Sequence, residues 1–270
     1  MKIFSKCYMG IIYFIMYVPI AVLMLFSFNS GESTSTFEGF SFRWYGSLFS
    51  KPEILEAFKN SLWLAFSSAV VATVIGTLAA VALSKMRKGV IKQGIRSLTD
   101  IPMMNPEIVT GISMMLLFVF ISSRIFGNTE VELGFFSLLI AHVTFNLPYV
   151  LLSVSPKIHQ MDKFLPEAAQ DLGCTPLASF FKVELPNIMP GIVSGFIMSF
   201  TLSLDDFVIS LFNGGDIYKT LPVLIYNYTK KPVKPDIYAL FTLLVLVIFV
   251  LLVLSNVVSS RGERKERKKK

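Results

Sequence analysis

The chain has 270 residues, of which 53% are hydrophobic and 16% are charged, and its mean hydropathy is +0.63. Soluble domains carry roughly a quarter charged residues, so this composition excludes an ordinary soluble domain and favours a protein embedded in lipid. The net charge is +7, but residues 261–270 alone hold seven basic and two acidic side chains, a net +5. A nucleic-acid-binding protein would spread its basic residues along a groove, so we expect this basic tail to be a cytoplasmic anchor at anionic membrane lipid, with no nucleic acid as partner.

Six apolar stretches are long enough to cross a bilayer, which takes about 20 helical residues. Four of them, 7–31, 60–84, 133–156 and 237–260, contain no charged residue. The other two are 101–123, interrupted only by Glu107, and 185–215, interrupted only by Asp205 and Asp206. We therefore predict an all-α integral membrane protein with a single domain over 1–270 and six transmembrane helices, at about 8–28, 61–84, 103–123, 133–154, 189–212 and 237–258.

The distribution of lysine and arginine predicts which side of the membrane each loop faces. With six spans, 17 of the 25 basic residues fall in the two termini and in 85–100 and 157–184, and 8 fall in the other loops. Cytoplasmic loops carry the excess of basic residues, so we predict that both termini are cytoplasmic.

Motifs for catalysis, metal binding and nucleotide binding are missing from the sequence. His142 and His159 stand in no H-E-x-x-H motif, and Cys7 and Cys174 have no metal or redox spacing. Residues 89–94 begin and end with glycine, but they lack the Lys and the Ser or Thr that complete a phosphate-binding loop. We predict no catalytic residue, no metal and no cofactor, and we interpret His142 as a histidine whose hydrogen bonds are satisfied within the helices.

The loop between the fourth and fifth spans, 157–187, has the pattern of two short helices. Pro166-Glu167 predicts a helix start and Gly173 a stop. Thr175-Pro176 opens a second amphipathic helix, which we expect to end at Leu185-Pro186. Such a pair forms a partly apolar knob that suits the groove of a partner protein. The alternative is an interfacial hairpin lying on lipid, and composition does not separate the two.

This loop resembles the EAA loop of binding-protein-dependent ABC importer permeases, whose pattern is E-A-A-x3-G-x9-I-x-L-P. Val183 replaces the usual isoleucine. The matching residues are Glu167, Ala168, Ala169, Gly173, Leu185 and Pro186. The resemblance covers essentially the whole chain, and the segment 202–207 is most similar to spermidine/putrescine importer permeases of the PotC type.

The resemblance implies the MetI-like fold of type I importers and a non-catalytic permease subunit in the cytoplasmic (inner) membrane of a bacterium. In that family the EAA loop couples the permease to a separate ATP-binding cassette ATPase dimer, so the matching residues are expected to take this role. The other expected partners are a second permease subunit, identical or paralogous, and an extracytoplasmic substrate-binding protein.

The adjacent carboxylates in the fifth span predict a cation site. A charged side chain at the centre of a membrane helix costs about 2.5–3.5 kcal/mol, so the pair requires water, a partner group or a cation. A polyamine is a flexible polycation that carboxylates attract and aromatic rings guide. We predict that the substrate path includes Asp205, Asp206, Phe207 and Tyr149. The alternative is that the helix ends before Asp205 and that the pair is a solvated loop acid or a helix cap.

The predicted function is ATP-driven import of spermidine or putrescine. One alternative is an importer of the same design for a metal cation, thiamine or sulfate, although carboxylates in the path disfavour an anion. A second is a proton-coupled secondary transporter, in which the EAA loop would have no purpose. On the fifth span, Gly191 and Gly195 form a G-x-x-x-G motif, which predicts close helix packing.

Overall fold

The structure is a computed structural model that describes residues 2–33, 36–87, 89–125, 133–230, 236–250 and 253. These residues are mostly helical, and the only β-pairing among them is an isolated bridge between Asn29 and Phe40. The helices are α1 (Lys2–Phe26), α2 (Arg43–Phe49), α3 (Pro52–Lys85), α4 (Val90–Met104), α5 (Glu107–Ile125), α6 (Phe135–Gln160), α7 (Leu165–Asp171), α8 (Pro176–Ser179), α9 (Leu185–Asp205), α10 (Val208–Asn213), α11 (Leu221–Thr229) and α12 (Asp236–Val250). The predicted all-α fold class is confirmed.

Five of the described helical stretches are long and apolar enough to cross a membrane. They lie in α1, α3, α5 and α6 and in the continuous stretch Pro176–Asp205. The described part of α12 has only 15 residues, Asp236–Val250. The predicted sixth span, 237–258, runs past this point, where only residue 253 is described, and the basic tail 261–270 lies outside the described residues. Five long helices followed by the apolar α12 fit the six-helix fold.

The third predicted span, 103–123, begins later than expected. The helix α4 ends at Met104, Asn105 is extended with ψ 140°, and α5 begins at Glu107. Pro106 explains the break, because a proline pushes the residue before it out of the helical conformation. Residues 101–104 therefore belong to a separate amphipathic helix that has no buried residue.

The fifth predicted span begins earlier than expected. We predicted that a short helix ends at Leu185-Pro186 and that a membrane helix follows from residue 189. Instead, α8 continues through a π-helical turn, Phe180–Glu184, directly into α9. Pro186 is tolerated because it lies in the first turn of α9, next to the wider turn, where its missing N–H costs little.

The described residues divide into two compact units. The first comprises the described parts of 1–58 and 221–250. Its apolar core includes Trp44, Leu221 and Leu240, and the Trp44 indole donates a hydrogen bond of 2.6 Å to the carbonyl oxygen of Asn29. The second unit comprises the described residues of 59–220 and contains all the predicted functional residues.

Within the second unit, α6 and α9 approach closely at two glycines. A Cβ atom at Gly191 would lie 2.8 Å from the carbonyl oxygen of Ser153, and one at Gly195 would lie 3.3 Å from the Cα of Val150. A side chain at Gly191 would therefore collide with the backbone of α6. The predicted packing role of the G-x-x-x-G motif is confirmed, and it holds α9 firmly against α6.

Candidate functional site

The helix α9 ends among buried side chains, and two non-helical residues separate it from α10. Asp206 is extended, with φ −63° and ψ 125°. Its carboxylate accepts hydrogen bonds from the backbone N–H groups of Ile209 (3.3 Å) and Ser210 (2.8 Å), which caps the first turn of α10. An Asp side chain that bonds to the backbone ahead of it competes with continued helix. The helix α9 therefore ends at Asp205, before the end of the predicted span at about residue 212, and the Asp206 carboxylate caps α10.

A buried polar network surrounds this break. The two ring nitrogens of His142 lie 3.0 Å from the Ser203 hydroxyl and 3.2 Å from the Ser210 hydroxyl. The Asp206 carboxylate lies 3.5 Å from His142 Nε2, and both side chains are almost completely buried. The interpretation of His142 as a satisfied histidine is confirmed. Its hydrogen bonds tie α6 to α9 and α10.

The Ser203 hydroxyl is the centre of this network. It accepts a hydrogen bond of 2.8 Å from the Asn146 amide nitrogen and shares one of 2.8 Å with the Ser68 hydroxyl. Ser68 belongs to α3 and Asn146 to α6, so one hydroxyl on α9 links three helices. Buried polar groups in a membrane protein face other helices or a cavity, so the network fixes the position at which α9 breaks.

Beside the break lies a cavity of 240 Å³ lined by three carboxylates. Its lining residues are Glu107, Phe145, Leu202, Asp205, Asp206, Phe207 and Val208. The carboxylates come from the first turn of α5 and from the end of α9, so two separate elements place like charges around one small space. Such a space attracts a cation, because the cation relieves the repulsion between the carboxylates and the cost of their burial.

The four residues predicted for the path occupy different positions. Asp205 is exposed and lines the cavity, whereas Asp206 is buried and capped onto α10. Phe207 lines the cavity as well. Tyr149 does not line it, but its ring packs against the ring of Phe145, which does, with centroids 5.5 Å apart. Three of the four predicted residues, Asp205, Asp206 and Phe207, therefore line the cavity, and Tyr149 lies behind Phe145.

Glu107 is the site residue that sequence reasoning missed. In the sequence, Glu107 is the only charge in an apolar stretch, and we predicted no role for it in the substrate path. The signal was nevertheless present, since a carboxylate next to Pro106 in a membrane stretch carries the same desolvation cost as either of the two aspartates. The sequence does not show that the fold brings the first turn of α5 close to the end of α9.

The EAA segment contains the first of the two expected short helices, α7, whereas the second, α8, continues into α9. Glu167, Ala168 and Ala169 lie on α7, which has no buried residue. Gly173 follows with φ +90°, a conformation that favours glycine. The hydroxyl of Thr175 then accepts a hydrogen bond of 3.2 Å from the N–H of Ala178, which caps α8.

Two further contacts hold the EAA segment in place. The Ser179 hydroxyl donates a hydrogen bond of 3.0 Å to the carbonyl oxygen of Pro166, which joins α8 to α7. Lys85, at the end of α3, forms a 2.8 Å ion pair with the buried carboxylate of Glu184 in the π-helical turn. The segment is therefore tied to a membrane helix.

The outer surface of this segment exposes large apolar side chains. They are Phe164, Leu172, Leu177 and Phe181, with exposed fractions of 71%, 87%, 71% and 56%. Leu185 and Pro186, the last residues of the EAA pattern, lie in the first turn of α9. A cluster of exposed apolar side chains marks a surface for a partner or for lipid.

The fold, the broken helix and the EAA segment together define a polytopic permease of a transport system. Residues 72–268 match the family described as binding-protein-dependent transport system inner membrane component, and the chain belongs to this family.

Two relatives share most of their length with this chain. The spermidine/putrescine transport system permease protein PotC of Haemophilus influenzae is 38% identical over 238 residues, which cover 88% of this chain and 89% of that protein. The putrescine transport system permease protein PotI of Escherichia coli strain K12 is 38% identical over 227 residues, covering 84% of this chain and 80% of that protein. The resemblance stated from the sequence is confirmed.

The fold is similar to that of a solved importer. A chain in the crystal structure of a bacterial ABC transporter involved in import of the acidic polysaccharide alginate superposes with a TM-score of 0.74. The match covers 97% of this chain and 95% of that chain, at 16% sequence identity. At this identity the likeness shows the fold alone, and it is the fold of an ABC importer permease.

Proposed function

We propose that the chain is the non-catalytic permease subunit of an ATP-driven importer and forms part of a path for spermidine or putrescine. The assignment of a polyamine as substrate rests on the cavity at the end of α9, where Glu107, Asp205 and Asp206 line 240 Å³ of space. A linear polyamine carries protonated amines separated by apolar methylene groups. Carboxylates would bind the amines, and the rings of Phe145 and Phe207 would contact the carbon chain.

In this proposal Asp205 is the principal cation ligand. It is exposed to the cavity, whereas the Asp206 carboxylate already accepts two backbone hydrogen bonds and lies 3.5 Å from His142. One exposed carboxylate with Glu107 opposite gives a weak site, which suits a path from which the substrate must leave. Selectivity would then rest mainly on an extracytoplasmic substrate-binding protein.

Energy would come from a separate ATPase dimer that contacts the EAA segment. The exposed apolar side chains of Leu172 and Leu177 would enter grooves of the ATPase. Movement of the segment would reach the membrane helices through the Lys85–Glu184 ion pair and through the continuous helix from α8 to α9. A second permease subunit would complete the path, and both termini would be cytoplasmic in the inner membrane of a bacterium.

The test is uptake of radiolabelled spermidine and putrescine by cells that lack their own polyamine importers and express the complete transporter. Asp205→Asn should reduce the initial uptake rate at least tenfold at equal membrane level, since the loss of a hydrogen bond between two charged groups costs more than about 1.4 kcal/mol. The matched control is Asp216→Asn, which neutralises an exposed carboxylate outside the cavity and should leave uptake unchanged.

Two outcomes would contradict the proposal in different ways. Equal uptake by the wild-type chain and the Asp205→Asn variant would show that Asp205 does not bind the cationic substrate. Uptake that survives depletion of ATP would instead favour the proton-coupled alternative over the ATP-driven importer.

A further inference from the structure

A second cavity lies at the end of the molecule that carries the EAA segment. It has a volume of 410 Å³, is partly open, and is bordered by the end of α3, by α4 and by the last turns of α6. His159 lines it, and the EAA helix α7 begins only six residues further on. The cavity shares no residue with the carboxylate-lined space described above. The proposed transport path therefore gives it no role.

The polar side of this cavity is basic. Lys92 and Arg96 lie one turn apart on α4 and both line the cavity. Lys92 donates a hydrogen bond of 3.2 Å to the carbonyl oxygen of Met86, and neither residue forms an ion pair within the described part of the chain. Asp100 is the one carboxylate in the lining, so two fixed positive charges face one negative charge.

His159 adds a further polar group to this side. Its Nδ1 lies 2.6 Å from the carbonyl oxygen of Ser155 and donates to it, which leaves Nε2 of the neutral ring as a hydrogen-bond acceptor. His159 therefore does not bind an oxyanion, and the oxyanion-binding groups of the lining are the ammonium of Lys92 and the guanidinium of Arg96. These two groups bind a phosphate or another oxyanion.

The other side of the cavity is apolar, and its wall includes Leu83, Leu151 and Leu152 from α3 and α6. The helix α4 also carries apolar side chains outside the cavity, among them Val90 and Leu98, with exposed fractions of 86% and 67%. A helix with basic residues on one face and large apolar residues on the other lies in the membrane interface. The cavity is therefore placed where a phospholipid headgroup meets its acyl chains.

We propose that this cavity binds an anionic phospholipid, with its phosphate held by Lys92 and Arg96 and an acyl chain lying along the three leucines. A volume of 410 Å³ is within the ordinary range for a small-ligand site. A lipid in this position bridges α4 to the last turns of α6, directly before the EAA segment. Anionic lipid then stabilises the end of the protein through which the transporter is coupled to ATP.

The test uses the full-length chain in detergent and native mass spectrometry, with dioleoylphosphatidylglycerol and dioleoylphosphatidylcholine as probes. Phosphatidylglycerol should be retained and phosphatidylcholine should not. The double variant Lys92→Gln/Arg96→Gln should weaken phosphatidylglycerol binding about 30-fold, the combined attraction of two basic residues for anionic lipid. The matched control Lys6→Gln/Arg87→Gln removes two exposed charges that do not line the cavity, and it should bind like the wild-type chain.

A second pair of measurements separates a lipid from a soluble anion and guards against a variant that fails to fold. The charge-preserving variant Lys92→Arg/Arg96→Lys should retain phosphatidylglycerol, whereas Leu152→Asn should lose part of it. Inorganic phosphate at equal concentration should not displace the lipid. Displacement by phosphate would overturn the lipid assignment. Equal retention of the two lipids, or unchanged binding by the double glutamine variant, would overturn the site itself.

Discussion

Asp205 and Asp206 are adjacent in the sequence but differ in environment. Asp205 ends α9 and is exposed at the cavity, while the Asp206 carboxylate caps α10 and faces His142. The cost of two charges in an apolar stretch indicated that both residues matter. It did not indicate that one is structural, because the helix break that separates their roles depends on contacts with α6.

Substitution of the two aspartates should therefore have different effects on stability. Asp206→Asn loses a charged cap and the charge beside His142, so it should lower the free energy of unfolding by about 1–3 kcal/mol. Asp205→Asn should leave it nearly unchanged. Thermal unfolding of the detergent-solubilised chain measures both, with Asp216→Asn as the exposed control. An equal loss for both aspartates would show that the assigned roles are wrong.

Gly173 tests whether the EAA turn needs its left-handed backbone. Neither Gly173 nor Gly46 has an atom within 4 Å of the position a Cβ would take, so space is not a factor at either site. Gly173 has φ +90°, whereas Gly46 lies within α2. Gly173→Ala should destabilise the chain by about 1 kcal/mol, and Gly46→Ala should stabilise it by up to about 1 kcal/mol. Shifts of the unfolding midpoint that have the same sign and size for both variants would contradict the role assigned to the Gly173 backbone.

At the scale of the secondary-structure elements, the Lys85–Glu184 ion pair joins α3 to the EAA segment. The carboxylate is almost fully buried and the ammonium is partly exposed, so the pair lies between a surface and a buried ion pair. Lys85→Gln should cost about 1–3 kcal/mol of stability because it leaves a buried carboxylate unpaired. The double variant Lys85→Gln/Glu184→Gln should recover most of this loss.

A double-mutant cycle of unfolding free energies checks the pair, with Arg87→Gln as control because Arg87 is exposed and forms no ion pair with the described residues. Additive losses in the cycle would mean that the two charges do not interact. In that case the path from the EAA segment to the membrane helices would rest on the continuous helix α8 to α9 alone.

Much of the fold could be predicted because apolar length is a strong signal for membrane helices. The exact ends of the helices were harder to predict from the sequence. The chain crosses Pro186 without a break because the π-helical turn precedes it, and it breaks at Asp206 because a carboxylate caps the next helix. Both outcomes depend on local hydrogen bonds, which hydropathy does not report. The sequence likewise did not indicate that Ser68 and Ser203 meet, since 135 residues separate them.

At the scale of the whole molecule, the described residues combine a carboxylate-lined space inside the helices with an exposed apolar segment at one end. The chain belongs to the binding-protein-dependent transport family, and the EAA segment resembles the EAA loop of its permeases. The EAA pattern was detectable from sequence because its spacing is specific. Only the Asp205 and Asp206 side of the cavity could be predicted, since the position of Glu107 in the same lining depends on how α5 packs beside α10.

The most direct test of the central claim is spermidine uptake into proteoliposomes that contain the chain with its ATPase, second permease and binding protein. We predict accumulation of labelled spermidine that requires hydrolysable ATP on the ATPase side and is lost with Asp205→Asn while ATP hydrolysis continues. A complex that hydrolyses ATP but accumulates no spermidine or putrescine would contradict the proposed substrate. Accumulation driven by a proton gradient without ATP would contradict the proposed mechanism.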